Sequence, residues 1–256
     1  MIEQRTIEWH KQRLGKITAS EIYVLAKDRK VAMTDEELAE YKAANPKSRV
    51  TTKVVPFSDA TFTYLNRKVM ENSMPLWSKD VVSINMIEEY VEQHNVTNRA
   101  MQWGTDLEPM ARDKYAEVMG YEVFEVGFIP YAKYPNLCGG SPDGLIREEK
   151  GMIEIKCPYT LEKHLEHFLY AKPDDLKEGN EQYYWQCIAN MLFTDTEYCD
   201  FVSYCPYVSP SKQIKVLRIP RNEDDIKLLT ERIKLAVDYI KIQLAILNDV
   251  KAIITE

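Results

Sequence analysis

The sequence predicts an α/β protein with a central mixed sheet, helices on both sides of it and a helical segment before it. Three observations support this. Residues 1–120 carry mainly helical hydrophobic spacing, the period changes to alternation at Tyr121, and an amphipathic helix closes the chain from about Asn222. We therefore expect one domain, with a mainly helical part at residues 1–120, the sheet core at residues 121–220 and the last helix at residues 221–256.

Helix-start and helix-stop signals place the elements of the first part. Thr34 followed by Glu37 is a capping box, and Gly120 is a C-terminal stop. The predicted helices cover residues 18–26 (capped by Thr18 or Ser20), 34–45, 58–72, 84–94 and 105–119. Residues 48–56 and 75–80 are expected to form loops between them.

Alternating Val, Ile and Phe residues predict the strands of the second part. The predicted strands cover residues 121–131, 137–146, 152–157, 198–205 and 213–219, with a hairpin turn at residues 148–151. Two helices, at residues 161–170 and 181–193, interrupt the series. His164 and His167 lie on the first of them and are expected at the surface.

Composition excludes several classes of protein. The chain has 256 residues, and 33 basic against 40 acidic residues give a net charge of −7. This argues against coating nucleic acid through bulk charge, but leaves room for an enzyme with a local basic channel. Five cysteines without a C-x-x-C pair predict buried, reduced thiols. The sequence has neither an apolar membrane-span run nor an apolar signal core near Met1, so we expect a cytoplasmic protein.

The residues that point to chemistry lie between residues 139 and 158. Glu154 and Lys156 alternate on a predicted strand and therefore point to one face, while Ile153 and Ile155 point to the other. A hairpin would bring Asp143 back beside Glu154. Two close carboxylates repel each other unless a cation lies between them.

Hard oxygen ligands of this kind suit Mg²⁺, with Mn²⁺ as a substitute. A metal ion there, with a lysine two residues from the carboxylate, fits metal-assisted hydrolysis of a phosphodiester. Glu-x-Lys on a strand is common as a solvated cross-strand pair, so the pair alone is weak evidence. The Pro-Asp-Gly turn before an otherwise apolar strand strengthens it.

These residues carry a resemblance to a known family. SPDGL at residues 141–145 and EIKCP at residues 154–158 resemble the lambda-exonuclease-like, YqaJ-type viral recombinase family of PD-(D/E)xK nucleases. The segment at residues 9–20, WHKQRLGKITAS, is similar to the family's N-terminal motif. Trp103-Gly104 with Glu108 and Arg112, and Gln186 with Met191 and Thr194, are similar to its helices before and after the catalytic strand.

The resemblance implies a restriction-endonuclease-like core and a role for each matched residue. Glu108, Asp143, Glu154 and the backbone carbonyl of Ile155 would bind the divalent metal, Lys156 would position the attacking water, and Gln186 would support the site. Arg13, Ser20 and Ser141 would hold the 5′-phosphate of a DNA end. Where the family often has a basic residue this chain has Glu162, with Lys163 next, which puts the strength of 5′-phosphate dependence in question.

The resemblance further implies a Mg²⁺-dependent 5′→3′ exonuclease that digests one strand of double-stranded DNA to mononucleotides. It would leave 3′ single-stranded tails for phage-type recombination in a bacterial host. A ring-shaped homotrimer and a single-strand annealing protein are the implied partners. Two alternatives stay open: an endonuclease or nickase on the same core, and a non-catalytic DNA-binding relative.

Overall fold

The structure is a computed structural model that describes residues 2–76, 78–94, 98–147 and 149–249. The predicted hairpin turn begins at Glu148, and the predicted last helix extends past residue 249, so both lie partly outside the described residues. Within these ranges no helix is long and apolar enough to cross a membrane.

The described chain contains helices and strands throughout. The helices are α1 (Ile7–Arg13), α2 (Asp35–Ala44), α3 (Asp59–Asn72), α4 (Val81–His94), α5 (Arg99–Met119), α6 (Leu161–Leu169), α7 (Pro173–Gly179), α8 (Glu181–Thr194) and α9 (Glu223–Asp249), with 3-10 helices at Ala19–Ala26 and Pro210–Lys212. The strands are β1 (Ile17–Thr18), β2 (Asp28–Ala32), β3 (Thr52–Pro56), β4 (Val123–Phe124), β5 (Ile129–Pro130), β6 (Cys138–Gly140), β7 (Gly144–Ile146), β8 (Gly151–Lys156), β9 (Tyr198–Tyr204) and β10 (Ile214–Pro220).

A mixed five-stranded sheet forms the centre, in the order β10-β9-β8-β7-β4. Strands β8 and β9 run parallel, while β7 and β10 run antiparallel to their neighbours. The predicted α/β fold with a mixed central sheet is confirmed. The predicted return of the chain is also present, because β7 pairs with β8 and places Gly144 opposite Ile153.

Strand β8 is covered on both faces, which explains its run of buried residues. Ile153 and Ile155 pack with Leu107 and Ala111 of α5 in one apolar cluster. On the opposite face Met152 joins a larger cluster with the 3-10 helix Ala19–Ala26, α8 and α9. Glu154 and Lys156 share that second face by alternation and therefore lie under α8.

Two predicted strands are wrong as continuous elements. Residues 121–131 divide into β4 and β5, and residues 137–146 divide into β6 and β7, with the halves in different sheets. The second break falls at Ser141-Pro142-Asp143, where proline has no N–H to continue a ladder. The break turns Asp143 out of the strand, and its backbone N–H then donates to Ile153 O at 3.2 Å.

Several elements were missed or misplaced in the sequence prediction. Residues 52–56 form β3, paired with β2, instead of a loop, and α1 and α7 were not predicted. Pro173 at the first position of α7 is a helix-start signal from which this helix could have been predicted. Helix α5 begins at Arg99, earlier than predicted, because the Asn98 side chain caps Met101 N–H. Residues 19–26 form a 3-10 helix, with no side-chain cap from Thr18.

Candidate active site

A cleft of about 560 Å³ opens beside the end of β8. All the side chains that the sequence predicted for the site reach it: Arg13, Ser20, Glu108, Ser141, Asp143, Glu154, Lys156 and Gln186, with Ile155. They come from α1, the 3-10 helix that follows it, α5, the β6–β7 turn, β8 and α8. The structure therefore brings together residues that lie up to 173 positions apart in the sequence.

Three side chains at the centre of the cleft are linked through β8. Asp143 accepts a hydrogen bond from the Ile155 backbone N–H, at 2.6 Å to its Oδ2. Lys156 donates from Nζ to Glu154 Oε1 at 2.6 Å and to Gln186 Oε1 at 3.4 Å. Its ammonium also lies 4.7 Å from the ring centroid of Tyr183. Lys156 is thus fixed by a carboxylate, an amide and an aromatic face.

Helix α8 supplies a further partner that the sequence prediction missed. Asn190 donates from Nδ2 to Glu154 Oε2 at 3.3 Å. Asn190 lies one helical turn after Gln186, so both amides face β8. That i, i+4 spacing was the signal available in the sequence.

Burial and mutual repulsion set the electrostatics of the cluster. Burial raises the pKa of Asp143 well above its usual value, and the nearby carboxylates of Glu154 and Glu108 raise it further. Burial also raises the pKa of Glu154, while Lys156 lowers it. Burial opposes the charge of Lys156, but Glu154 and Asp143 outweigh this and raise its pKa. Burial and nearby negative charge thus disfavour the ionised forms of both Asp143 and Glu154.

Glu108 forms ion pairs with two arginines. Arg5 forms an ion pair with its Oε2, and Arg112 donates to its Oε1 at 2.9 Å. Arg112 also donates from Nε to the Asp143 carbonyl at 3.1 Å, which ties α5 to the turn that carries Asp143. Neither Arg5 nor this role of Arg112 was predicted, although Arg112 lies one helical turn after Glu108.

The donor set has the chemistry for a divalent cation, but it is not closed around a binding point. In the ranges that the structure describes, no three His, Cys, Asp or Glu side chains are grouped to hold a metal ion. The physical reason is that Glu108 is turned to Arg5 and Arg112, and Glu154 to Lys156. Burial and nearby carboxylates raise the pKa values of Asp143 and Glu154, and a bound cation would offset this cost of ionisation. Carboxylate oxygens are the ligands that Mg²⁺ and Mn²⁺ prefer.

Arg13 lies at the other end of the cleft and contacts two neutral side chains. Arg13 donates from Nη2 to the Ser20 hydroxyl at 3.0 Å, and its guanidinium lies 4.1 Å from the Trp9 ring centroid. Trp9 in turn donates from Nε1 to the Ser141 hydroxyl at 3.0 Å. Trp9 thus connects the three residues predicted for phosphate binding.

Arg13 is positively charged, and the acidic side chains near it balance this charge only in part. Burial lowers its pKa to about 10, which still leaves it protonated at neutral pH. Glu21 is the acid that most opposes this shift, yet Glu21 forms its ion pairs with Arg67 and Lys68. A guanidinium in this position is matched to phosphate oxygens.

Helix α6 carries both Glu162 and Lys163, the residues at the position where the family often has a basic residue. Glu162 is exposed and does not line the cleft, whereas Lys163 does. The Lys163 ammonium lies 2.8 Å from both carboxylate oxygens of Glu166. The basic group that faces the cleft from this helix is therefore Lys163.

The expectation that His164 and His167 lie at the surface is wrong, because both are buried. The Ser203 hydroxyl lies between them, 3.0 Å from Nδ1 of His164 and 3.1 Å from Nδ1 of His167. His164 Nε2 contacts the Lys212 carbonyl at 2.8 Å and must donate to it, so in a neutral ring its Nδ1 accepts from Ser203. His167 then donates from Nδ1 to Ser203. Ser203 thus satisfies Nδ1 of both histidines, while Nε2 of His167 is buried without a hydrogen-bond partner among the residues that the structure describes.

The five cysteines are buried and unpaired, as the sequence predicted.

The chain is similar to a known family and to solved structures. A family model, the YqaJ-like viral recombinase domain, matches residues 8–197. The crystal structure of an alkaline exonuclease from Laribacter hongkongensis has 26% sequence identity and a TM-score of 0.64, covering 95% of this chain and 96% of that one. The structure of the same enzyme in complex with dAMP has 26% identity and a TM-score of 0.64, covering 94% and 96%.

A phage-related exonuclease from Haemophilus somnus 129PT shares the fold. It has 15% identity and a TM-score of 0.57, covering 91% of this chain and 96% of that one. No curated protein matches the chain.

Proposed function

The chain belongs to the YqaJ-like viral recombinase family, and on that premise we propose that it is a Mg²⁺-dependent 5′→3′ exonuclease acting on double-stranded DNA ends. It would release mononucleotides from one strand and leave a 3′ single-stranded tail. One observation carries the proposal: a single cleft holds an acidic cluster with a buried lysine at its centre and a cationic pocket at its end. The fold shared with alkaline exonucleases supports hydrolysis of DNA.

Each side chain has a distinct task in this proposal. Asp143, Glu154, Glu108 and the Ile155 carbonyl would hold the divalent ion, which would polarise the phosphoryl oxygen and lower the pKa of the attacking water. Lys156 keeps its proton at the cleft, so its ammonium positions that water by donating to it and offsets charge that develops on phosphate oxygens. Gln186 and Asn190 keep Lys156 and Glu154 in place.

The cationic pocket supports end recognition in this proposal. Arg13, Ser20 and Ser141 would bind the 5′-phosphate, and Lys163 would add a charge from α6. A terminal phosphate held there fixes the strand so that the first phosphodiester meets the acidic cluster. Hydrolysis would then start at a 5′ end and proceed toward the 3′ end.

The direct test uses linear duplex DNA labelled at either its 5′ or its 3′ terminus, beside closed circular duplex, each with Mg²⁺ and separately with Mn²⁺. We expect early release of the 5′-terminal nucleotide, retention of the 3′ label on long fragments and an intact circle. Cleavage of the circle would move the assignment to an endonuclease. Absence of hydrolysis with both metals would move it to a non-catalytic DNA-binding relative.

A matched pair of substrates tests the pocket separately. Duplex ends that carry a 5′-phosphate should be digested faster than ends that carry a 5′-hydroxyl, and Arg13→Ala should remove most of that difference. Equal rates on both ends in the unsubstituted protein would contradict the role of Arg13, with hydrolysis itself unaffected.

The family also supports proposals about assembly. We propose a ring-shaped homotrimer around DNA, a single-strand annealing protein as its partner, and action as one nuclease domain in the cytoplasm of a bacterial host. The net charge of −7 is compatible with a ring whose positive charge faces inward. Sedimentation velocity tests the trimer, since a monomeric mass with and without duplex DNA would contradict it.

A further inference from the structure

Three aromatic rings contact one another, and one of them, Tyr159, lines the cleft. Trp103 of α5 stacks on Tyr207, with 5.3 Å between ring centroids and 24° between planes, and meets Tyr159 edge-on at 5.7 Å and 86°. The Trp103 indole is anchored by donation to the Pro158 carbonyl at 3.1 Å, and the ring packs against the cluster that contains Ile153 and Ile155. The group therefore has a fixed base; we call Trp103, Tyr159 and Tyr207 the aromatic shelf.

Core packing does not account for the outer two rings. Tyr159 is 52% exposed and Tyr207 is 70% exposed. They are the two exposed residues among the sixteen tyrosines, all of which the structure describes. Tyr207 rests one face on Trp103 and leaves the other toward solvent. Tyr159 lines the cleft itself.

Gly104 provides a second, independent observation. It lies inside α5, next to Trp103, and lines the same cleft as Tyr159. A Cβ added at Gly104 would meet nothing within 4 Å, so neither packing nor backbone conformation requires glycine here. Glycine inside a helix lowers stability relative to alanine. A ligand that approaches the bare helix backbone closely would explain the absence of a side chain.

We propose that Gly104 and the aromatic shelf form a stacking subsite for an unpaired nucleobase of the DNA strand that is being cut. This inference rests on the proposed function. Tyr159 lies three residues after Lys156, which limits their Cα separation to about 10 Å, so the stacked base belongs to a nucleotide near the scissile phosphate. Every base has a π face, and stacking on aromatic rings therefore holds a strand without selecting its sequence.

Equilibrium binding in EDTA tests the subsite, because hydrolysis is then suppressed. The probe is a fluorescent duplex with a short 5′ single-stranded overhang, followed by anisotropy. Tyr159→Ala and Tyr207→Ala should each weaken binding by about 5- to 150-fold, the change that corresponds to ~1–3 kcal/mol per stacked base. Tyr159→Phe and Tyr207→Phe keep the rings and should restore tight binding. Leu235→Ala removes a 45% exposed side chain on α9 and is the control for general surface effects.

Abasic substitution identifies the stacked base. Replacing the bases of the overhang one at a time with an abasic residue should weaken binding at one position. The same abasic substitution should have no further effect on Tyr159→Ala, because the ring that the base contacts is already absent. Independent, additive losses would overturn direct stacking on Tyr159.

Gly104→Ala separates a ligand role from a structural role. The added methyl meets no protein atom and favours the helix, so the melting temperature should rise. DNA affinity should fall, because the methyl occupies the proposed floor of the subsite. Affinity equal to that of the unsubstituted protein would overturn the role of Gly104.

The outcomes distinguish the two proposals. Should the protein hydrolyse duplex ends while the alanine variants at Tyr159 and Tyr207 bind as tightly as before, the subsite is overturned and the exonuclease proposal remains. Should the binding losses occur although no DNA is hydrolysed with Mg²⁺ or Mn²⁺, the subsite is supported and the exonuclease proposal fails. Failure of the unsubstituted protein to bind the overhang probe overturns the subsite as well.

Discussion

Replacement of Lys156 by methionine should both stop hydrolysis and destabilise the fold. The Glu154 side chain is 1% exposed, and Lys156 Nζ lies 2.6 Å from its Oε1. Removing one member of a buried ion pair leaves the other charge uncompensated, at about 3–5 kcal/mol. Because 21% of the Lys156 side chain is exposed, we expect the lower end, about 3 kcal/mol. Methionine keeps the length of the side chain, so the loss reports the charge.

The loss is measured as the free energy of unfolding in urea at neutral pH. For a chain of this length, ~3 kcal/mol corresponds to a fall in melting temperature of about 6–12 °C. Lys156→Arg keeps a positive charge and should retain most of the stability while losing hydrolysis. Lys114→Met breaks an exposed pair with Glu117 and should change the free energy by less than about 1 kcal/mol. DNA binding should survive in all three variants.

The sign of the pH dependence follows from Glu154. Its pKa is raised in the folded protein by burial, and loss of the lysine raises that pKa further. A carboxyl group whose pKa is higher in the folded than in the unfolded state destabilises the fold at pH values above the unfolded pKa. The stability lost in Lys156→Met should therefore be largest at neutral pH and shrink as pH falls toward about 4.5. Ca²⁺ should also reduce the deficit if Glu154 binds divalent ions. A deficit that is the same at pH 7 and pH 4.5 would refute the buried-charge explanation.

Three other predictions concern contacts outside the Glu154–Lys156 pair. Arg5→Ala should lower the Mg²⁺ concentration needed for half-maximal hydrolysis, because Arg5 forms an ion pair with Glu108. An unchanged or raised concentration would contradict competition between Arg5 and the metal ion for Glu108. His167→Asn keeps a donor for the neighbouring serine but does not titrate. Burial lowers the pKa of His167 to about 4, so the protein should lose up to about 3 kcal/mol of stability as pH falls from 6.5 to 4. Urea titrations at the two pH values should show a smaller loss for the asparagine variant. Tyr115→Phe removes a hydrogen bond of 2.6 Å to buried Asp200 and should lower the free energy of unfolding by about 1.5–3 kcal/mol; a loss under about 0.5 kcal/mol would show that Asp200 is satisfied without it.

The centre of the site could be predicted from the sequence because it depends on local geometry. Alternation along β8 places Glu154 and Lys156 on one face, and a short hairpin returns Asp143 to the same strand. Both relations span fewer than about fifteen residues and follow from strand period and turn chemistry. The mixed sheet between helices follows from the same changes of period.

Contacts between distant segments could not be predicted in this way. The ion pair of Arg5 with Glu108 joins residues 103 positions apart, and nothing in either segment selects the other. The burial of His164 and His167 depends on Ser203, which becomes their neighbour only when α6 packs on β9. The aromatic shelf likewise needs α5, the end of β8 and the β9–β10 connection to meet.

The two cations that pair with carboxylates at the cleft, Lys156 and Arg5, differ in how firmly they are held. Lys156 contacts Glu154, Gln186 and the Tyr183 ring, and it lies on the same strand as the carboxylate that it neutralises. These contacts should keep Lys156 in place when a metal ion binds. The Arg5 side chain is 40% exposed and can return to water when Glu108 binds another partner. A divalent ion would therefore exchange with Arg5 and act beside Lys156. Hence the two substitutions should reveal different effects of a divalent ion: Arg5→Ala should reduce the Mg²⁺ concentration needed for hydrolysis, whereas Lys156→Met should make the free energy of unfolding depend on added cation.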